Sequence, residues 1–167
     1  MEGFPMAQPM LSLEQFLAEV APADRAFVKK VHRNLERRSC NTTFKQQKTS
    51  LLASYKDPTT KRALVNMLLK KDGLFVRVYG DNSSSYEGFL NTLPASMIHT
   101  IERAHDCKNL LGGGCSPTCR GYDITIGTTR LQKCRYSGFL FLVTSESKPF
   151  LTALIEHEID ARTMGAE

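Results

Sequence analysis

Tryptophan is absent from this chain, and aromatic residues make up only 8% of its 167 residues. No apolar run approaches the roughly 18 residues that a membrane span requires. The N-terminus, MEGFPMAQPM, has neither a positively charged start nor an apolar stretch, so it lacks the pattern of a secretory signal. These absences predict a cytoplasmic protein that does not enter a membrane.

Cysteine is scarce except in one stretch. The chain has five cysteines, and four of them, which we call the cysteine set, are Cys107, Cys115, Cys119 and Cys134. In a reducing compartment, clustered thiols indicate metal binding or catalysis more often than disulfides, and an odd total disfavours a complete disulfide framework. The sequence therefore predicts a metal site within residues 107–134.

The spacing of the cysteine set favours zinc. A structural zinc ion takes four ligands in a tetrahedron, often two from a short loop and two from more distant segments. We expect Cys115 and Cys119 to be the loop pair, Cys134 to lie on a strand and Cys107 at a helix end. The run Gly112–Gly114 and Pro117 suit a loop that folds back around an ion.

Other interpretations of the cysteine set remain open. An iron–sulfur cluster, or thiols that are reduced or reversibly oxidised, would use the same residues. His105, two residues before Cys107, could replace that cysteine as a ligand. Basic neighbours could offset the double negative charge that four thiolates give a zinc site: Lys108, Arg120, Lys133 and Arg135.

Signatures of common enzymes are missing. The chain contains no GxSxG or HExxH motif, and its LLGGG run lacks the GK[ST] that ends a phosphate-binding loop. Cys40 has arginine neighbours that could activate a thiol, but no partner base can be identified for it. The sequence therefore leans away from an enzyme, without deciding the question.

Positive charge is in moderate excess. The formal net charge is +5, which permits an acidic protein or nucleic-acid partner. The predicted second helix carries a group that we call the basic face: Lys29, Lys30, Arg33, Arg37 and Arg38. Further cations could extend it along the strands, with Tyr55 and Tyr79 as stacking surfaces: Lys45, Lys48, Lys56, Lys61, Arg62, Lys70 and Lys71.

Hydrophobic periodicity predicts an α+β fold. Ser12 begins a capping box before an amphipathic helix that Pro22 closes. Asp24 caps a second helix, whose apolar stripe is formed by Phe27, Val28, Val31 and Leu35. Residues 43–79 alternate as strands with a hairpin at Asp72-Gly73. Helical segments follow from residue 83, then a strand pair and a closing helix from Ser147. We expect an antiparallel sheet, made of a meander and a C-terminal strand pair, with N-terminal, central and C-terminal helices packed on it.

The expected organisation is a flexible tail over residues 1–10 and a single α+β domain over 11–163 that includes the Cys-rich metal loop, residues 107–134. The segments VRVYGDN and YDITIGTTRLQKCRYSGFLFLV, with the CxxxC loop between them, resemble a family of small bacterial cytosolic proteins of uncharacterised activity that share a C…CxxxC…KCRY pattern. The meander is similar in architecture to YdhG-like and YjbR-like α+β domains. The resemblance implies a sheet with packed helices and a cysteine set that acts together.

The function that follows is a zinc-stabilised binding or regulatory module. We expect it to contact a protein or nucleic-acid partner through the basic face. The alternative is a thiol-based redox enzyme or an iron–sulfur protein that uses the cysteine set.

Overall fold

The structure is a computed structural model that describes residues 11–165. The predicted tail, residues 1–10, lies outside the described residues. The helices are α1 (Leu13–Glu19), α2 (Pro22–Arg37), α3 (Glu87–Leu90), α4 (Ala95–Arg103) and α5 (Ser147–Gly165), and a 3-10 turn spans Ser83–Tyr86. The strands are β1 (Asn41–Gln46), β2 (Ser50–Lys56), β3 (Ala63–Lys70), β4 (Gly73–Val78), β5 (Tyr122–Ile126), β6 (Thr129–Lys133) and β7 (Leu140–Leu142).

The α+β class is confirmed, and the arrangement of the C-terminal strands differs from the prediction. An antiparallel five-stranded sheet has the order β1-β2-β3-β4-β7, and β5 pairs with β6 in a separate two-stranded sheet. The predicted strand pair therefore does not extend the meander. Only the short β7 extends the meander, next to β4. The amide of Val78 donates to the carbonyl of Phe139 at 3.0 Å, just before β7 begins.

The chain divides into two compact units, residues 1–75 and 76–167, with the boundary inside β4. The prediction of one domain over 11–163 stays a prediction. No helix within the described range 11–165 is both long enough and apolar enough to cross a membrane.

The first helix begins at a side-chain cap, and the second begins at a proline. The capping box of α1 is confirmed: the amide of Gln15 donates to Ser12 Oγ at 3.1 Å, and the amide of Ser12 donates to Gln15 Oε1 at 2.8 Å. The prediction for α2 was wrong in its first turn. Pro22 starts α2, with Ala21 as the N-cap, and Asp24 lies inside the helix, because proline at the first helical position loses no hydrogen bond.

The core of the first unit forms where α2 lies against the strands. The predicted apolar stripe of α2 is buried. His32, on the same helix, has its ring centroid 5.8 Å from that of Phe44, and its Nδ1 lies 2.8 Å from the hydroxyl of Tyr55. Tyr55 is completely buried, and burial raises the pKa of its hydroxyl well above the ordinary value. A neutral Tyr55 therefore links β2 to α2.

A buried network of charged side chains organises the second unit. Arg135 pairs with Asp81, and its guanidinium lies 4.7 Å from the ring centroid of Tyr79. Arg162 of α5 lies 3.3 Å from Asp81 Oδ2, and its Nε donates to Glu158 Oε2 at 2.9 Å. Because the side chains of both arginines and of Asp81 are at most 15% exposed, removing one partner would leave a buried charge uncompensated.

Glu158 completes this network from α5. Its carboxylate is inaccessible to solvent and accepts hydrogen bonds from the Tyr86 hydroxyl at 2.6 Å and from the Asn82 amide at 3.1 Å. Burial, reinforced by the Glu158 carboxylate, raises the pKa of Tyr86 well above its usual range. Tyr86 therefore stays a donor. We call Asp81, Arg135, Glu158 and Arg162 the buried ion cluster.

The buried ion cluster predicts a large difference between two Asp→Asn substitutions. We expect Asp81→Asn to lower the free energy of unfolding by about 3 kcal/mol, because the buried guanidinium groups of Arg135 and Arg162 each lose one carboxylate partner. Asp123→Asn is the matched control: it breaks an ion pair with Arg130 whose side chains are 39% and 67% exposed, and should cost less than about 1 kcal/mol. Urea unfolding at neutral pH measures both, and equal losses would contradict the assigned role of the cluster.

Candidate functional site

The cysteine set is supplied by two segments that run side by side and by the loop between them. Asp106 and Lys133 form an antiparallel bridge. The amide of Cys107 donates to the carbonyl of Gln132 at 2.9 Å, and the amide of Cys134 donates to the carbonyl of His105 at 2.7 Å. Cys107 and Cys134 are thus carried on paired backbone. Neither lies as expected: α4 ends at Arg103, before Cys107, and β6 ends at Lys133, before Cys134.

The turn that follows Cys134 fixes this residue from the other side. The amides of Ser137 and Gly138 both donate to the carbonyl of Cys134, at 3.2 and 2.7 Å. Next to it, the side chain of Arg135 enters the buried ion cluster. The chain therefore turns directly after Cys134, where the side chain of Arg135 becomes buried.

Asn109 organises the loop that carries the other two cysteines. Its side-chain amide donates to the carbonyls of Ser116 and Cys119, at 2.8 and 2.9 Å, and its oxygen accepts from the amide of Cys115 at 3.0 Å. One side chain thus ties both ends of the CxxxC segment together. Gly112 has φ +85°, a conformation that glycine adopts without strain, so the loop can fold back on Asn109.

Gly121 allows the loop to approach Cys107. A Cβ atom at residue 121 would lie 2.6 Å from the Cβ of Cys107 and 2.7 Å from the carbonyl oxygen of Lys133. Both distances are far below van der Waals contact. In contrast, a Cβ at Gly114 would meet nothing within 4 Å. The close packing of loop and strand pair therefore depends on residue 121 having no side chain.

The four thiols lie near enough to influence one another. Burial raises the pKa of Cys119, and the raising is strengthened by Cys115, Cys134 and Cys107 and by a hydrogen bond with Cys115. Their exposure differs: Cys107 is buried, Cys119 and Cys134 are half-buried, and Cys115 is exposed. Within residues 11–165, however, no three or more Cys, His, Asp or Glu side chains are arranged so that they could hold a metal ion.

Two of the predicted charge-balancing residues are engaged elsewhere. Lys133 Nζ donates to the carbonyls of Glu102 and Ala104, at 2.9 and 3.1 Å, and pairs with Asp106, so it serves the C-terminus of α4. Arg135 pairs with Asp81. Lys108 and Arg120 are exposed on the loop itself, where they can still balance negative charge.

The remaining candidate residues lie apart from a recognisable reaction centre. His105 is exposed, and its amide donates to Ser137 Oγ at 3.2 Å. Cys40 is half-buried just after α2, close enough to Tyr55 to contribute to raising its pKa. Cys40 therefore belongs to the first unit, whereas the cysteine set belongs to the second.

Most of the basic face lies along one side of α2. Lys29, Lys30, Arg33 and Arg37 are exposed within the helix, and the spacing of four residues aligns Lys29, Arg33 and Arg37. Arg38 differs, because it follows the last helical residue as the C-cap. The basic face is thus a ridge of four helical cations with Arg38 at its end.

The proposed stacking surfaces, one in β2 and one directly after β4, are not accessible. Tyr55 is 0% exposed and Tyr79 only 5%, so neither ring can receive a base. The prediction that they serve this purpose was wrong, because both hydroxyphenyl groups were needed to fill the interior. Five of the cations that could extend the basic face along the meander are exposed: Lys45, Lys48, Lys56, Lys61 and Lys71.

Sequence reasoning missed the two residues that shape the cysteine loop. Asn109 precedes a glycine run, and asparagine side chains commonly form hydrogen bonds with backbone groups in turns. An asparagine at this place in the sequence could therefore have indicated that it holds the loop. Gly121 follows Arg120, which comes directly after the CxxxC segment, and no sequence motif marks it. Its role depends on the close approach of the Lys133 backbone, which is distant in sequence.

Comparison with protein-family models, with curated proteins and with solved structures finds no significant match to this chain. Function must therefore be argued from the residues described above.

Proposed function

We propose that this chain is a zinc-stabilised binding module of the reducing cytoplasm, which contacts a partner macromolecule through the basic face. We also keep the C…CxxxC…KCRY group as its proposed family. The observation that supports the proposal is the placement of the cysteine set on paired backbone and on an Asn109-tied loop, where the other three thiols help to raise the pKa of Cys119.

The donor set is chemically suited to zinc. Four thiolates at about 2.3 Å form a common structural site. Cys107 and Cys134 would be the rigid ligands, since their amides are held by paired backbone. Cys115 and Cys119 would close over the ion from the loop, and the exposure of Cys115 leaves that loop room to adjust.

Such a site would stabilise the fold and would not catalyse a reaction. Four protein ligands fill the tetrahedron, whereas catalytic zinc keeps a position for water or substrate. When bound, zinc would supply a cross-link among the loop, the strand pair and the segment after α4. The buried cores of the molecule already stabilise much of the fold, so the metal would order this region more than the whole chain.

A thiol redox protein or iron–sulfur protein is the second candidate. The hydrogen bond between the thiols of Cys115 and Cys119, together with the exposure of Cys115, is an arrangement that an accessible dithiol would need. The redox form of this alternative requires free or readily reacting thiols in the native protein, whereas an iron–sulfur cluster would bind them. The zinc proposal requires bound thiols as well.

A glycine substitution tests the metal site without removing a ligand. We expect untagged wild-type protein to contain about one zinc per chain, and Gly121→Ala to lose most of it, because an added Cβ displaces Cys107 or Lys133. Gly114→Ala is the matched control, since it adds the same atom to the same loop in open space. Elemental analysis with circular dichroism gives the metal content and confirms folding.

Removal of one ligand gives the complementary result. Cys115→Ser should lose zinc while keeping the helical signal, because the exposed Cys115 contributes little to the core. The proposal fails if wild type contains no zinc, or if Gly121→Ala and Gly114→Ala retain it equally while both remain folded.

Thiol alkylation separates zinc from redox function. In native, metal-loaded protein we expect an alkylating reagent to modify at most Cys40, because metal-bound thiolates react poorly. After chelation Cys115 should react first, since it is the most exposed member of the cysteine set. Mass spectrometry after proteolysis locates the modified residues. Rapid modification of several members before chelation would favour the redox alternative.

A further inference from the structure

A groove lies between α1 and α2 in the first unit. It has a volume of about 870 Å³ and is open to solvent along its length. Apolar side chains come from α1 and mostly charged ones from α2. The described residues that line it are Leu13, Glu14, Leu17, Ala18, Arg25, Lys29, His32, Arg33 and Glu36.

The two walls of the groove repeat at the spacing of a helix turn. Leu13 and Leu17 are half-buried and stand four residues apart on α1. On α2, Arg25, Lys29 and Arg33 also follow one another at intervals of four. A helix laid along the groove would present its own side chains at the same interval, because one turn advances about 5.4 Å. An apolar strip therefore lies beside a cationic strip.

Two of these cations are available to a partner. Lys29 and Arg33 are exposed, and within residues 11–165 their side chains form no hydrogen bond or ion pair with another residue. Arg25 is different: its Nε donates to the carbonyl of Val20 at 2.9 Å, so it caps α1. Charge complementarity on the α2 side thus favours a negatively charged partner.

Acidic groups also face the groove, and they limit where that partner can bind. Glu36 lies 3.4 Å from His32 Nε2, at the end of α2, and Glu14 lies in the first turn of α1. Three Arg and Lys side chains face two carboxylates. The excess is positive, and two further cations of α2 outside the groove lining, Lys30 and Arg37, increase it.

The chemistry of the lining favours a protein partner over nucleic acid. Binding of single strands usually combines cations with exposed aromatic rings on which bases stack. No Phe, Tyr or Trp side chain is among the described residues that line the groove, and the nearby Tyr55 is completely buried. Instead, leucines form one wall, as in grooves that receive amphipathic helices.

We propose that the groove between α1 and α2 binds an acidic amphipathic helix of a partner protein. Apolar side chains of that helix pack against Leu13 and Leu17, and its carboxylates pair with Lys29 and Arg33. This inference rests on the proposed binding function and specifies its partner class. It does not depend on the metal site.

The test uses the full-length protein and two labelled probes. One is a synthetic helical peptide of about 16 residues with leucines one turn apart and glutamates on the adjoining side. The other is an oligothymidylate of equal net charge. Fluorescence anisotropy at low salt, about 50 mM, keeps charge interactions measurable. We expect the peptide to bind more tightly than the oligonucleotide.

Substitutions then locate the contact. We expect the double variant Lys29→Glu/Arg33→Glu to weaken peptide binding about tenfold or more, and Leu17→Gln or Leu13→Gln to weaken it several-fold. The matched control is Lys45→Glu/Lys48→Glu, which makes the same charge change at exposed positions in and after β1 and should weaken binding much less. Thermal melts confirm that each variant is folded.

Four outcomes overturn the inference. The first is that neither probe binds, and the second is that the oligonucleotide binds more tightly and the leucine variants do not affect its binding. The third is that sedimentation shows a dimer that Leu17→Gln dissociates, which would mean that a second copy fills the groove. The fourth is that Lys30→Glu/Arg37→Glu alone abolishes peptide binding. The last result would leave the basic face as a binding surface, and would therefore refute the groove without refuting the proposed function.

Discussion

The pairing of Arg135 with Asp81 is the interaction on which the second unit depends most. It buries two charges beside Cys134, and Arg162 and Glu158 extend it to α5. Isolated buried charges are expensive, so every member must keep its partner. The chain leaves β6 and turns immediately after Cys134. One proposed ligand therefore lies directly beside a residue that the buried ion cluster holds in place.

The cysteine loop is constrained in a different way. Asn109 closes it through three hydrogen bonds, and Gly121 lets it lie against Cys107 without a steric conflict. Neither feature needs a metal. The loop is thus directed towards the strand pair by the protein itself, and zinc would have to draw the thiols of the cysteine set together. Such preorganisation lowers the conformational entropy that metal binding must overcome.

Local patterns in the sequence predicted local structure well. The capping box at Ser12, the apolar stripe of α2 and the antiparallel meander all follow from contacts between near neighbours in sequence. The separate β5–β6 sheet could not be predicted in this way, because alternation identifies strands but does not identify their partners. Asp24 was misassigned because both a carboxylate cap and a proline start fit the same segment.

The candidate site was predictable in residue type but not in geometry. Four clustered cysteines were visible in the sequence, whereas the buried ion cluster joins Asp81, Arg135, Glu158 and Arg162 over more than seventy residues of chain. In the first unit, the basic face was likewise visible, but the adjoining leucine wall became apparent only when α1 and α2 were placed together. Long-range contacts thus supplied what periodicity and spacing could not.

X-ray absorption at the zinc edge of the purified protein reports the ligands of the metal itself. We expect four sulfur ligands at about 2.3 Å. A shell that contains nitrogen or oxygen ligands at about 2.0 to 2.1 Å, or a protein without zinc at all, would contradict it.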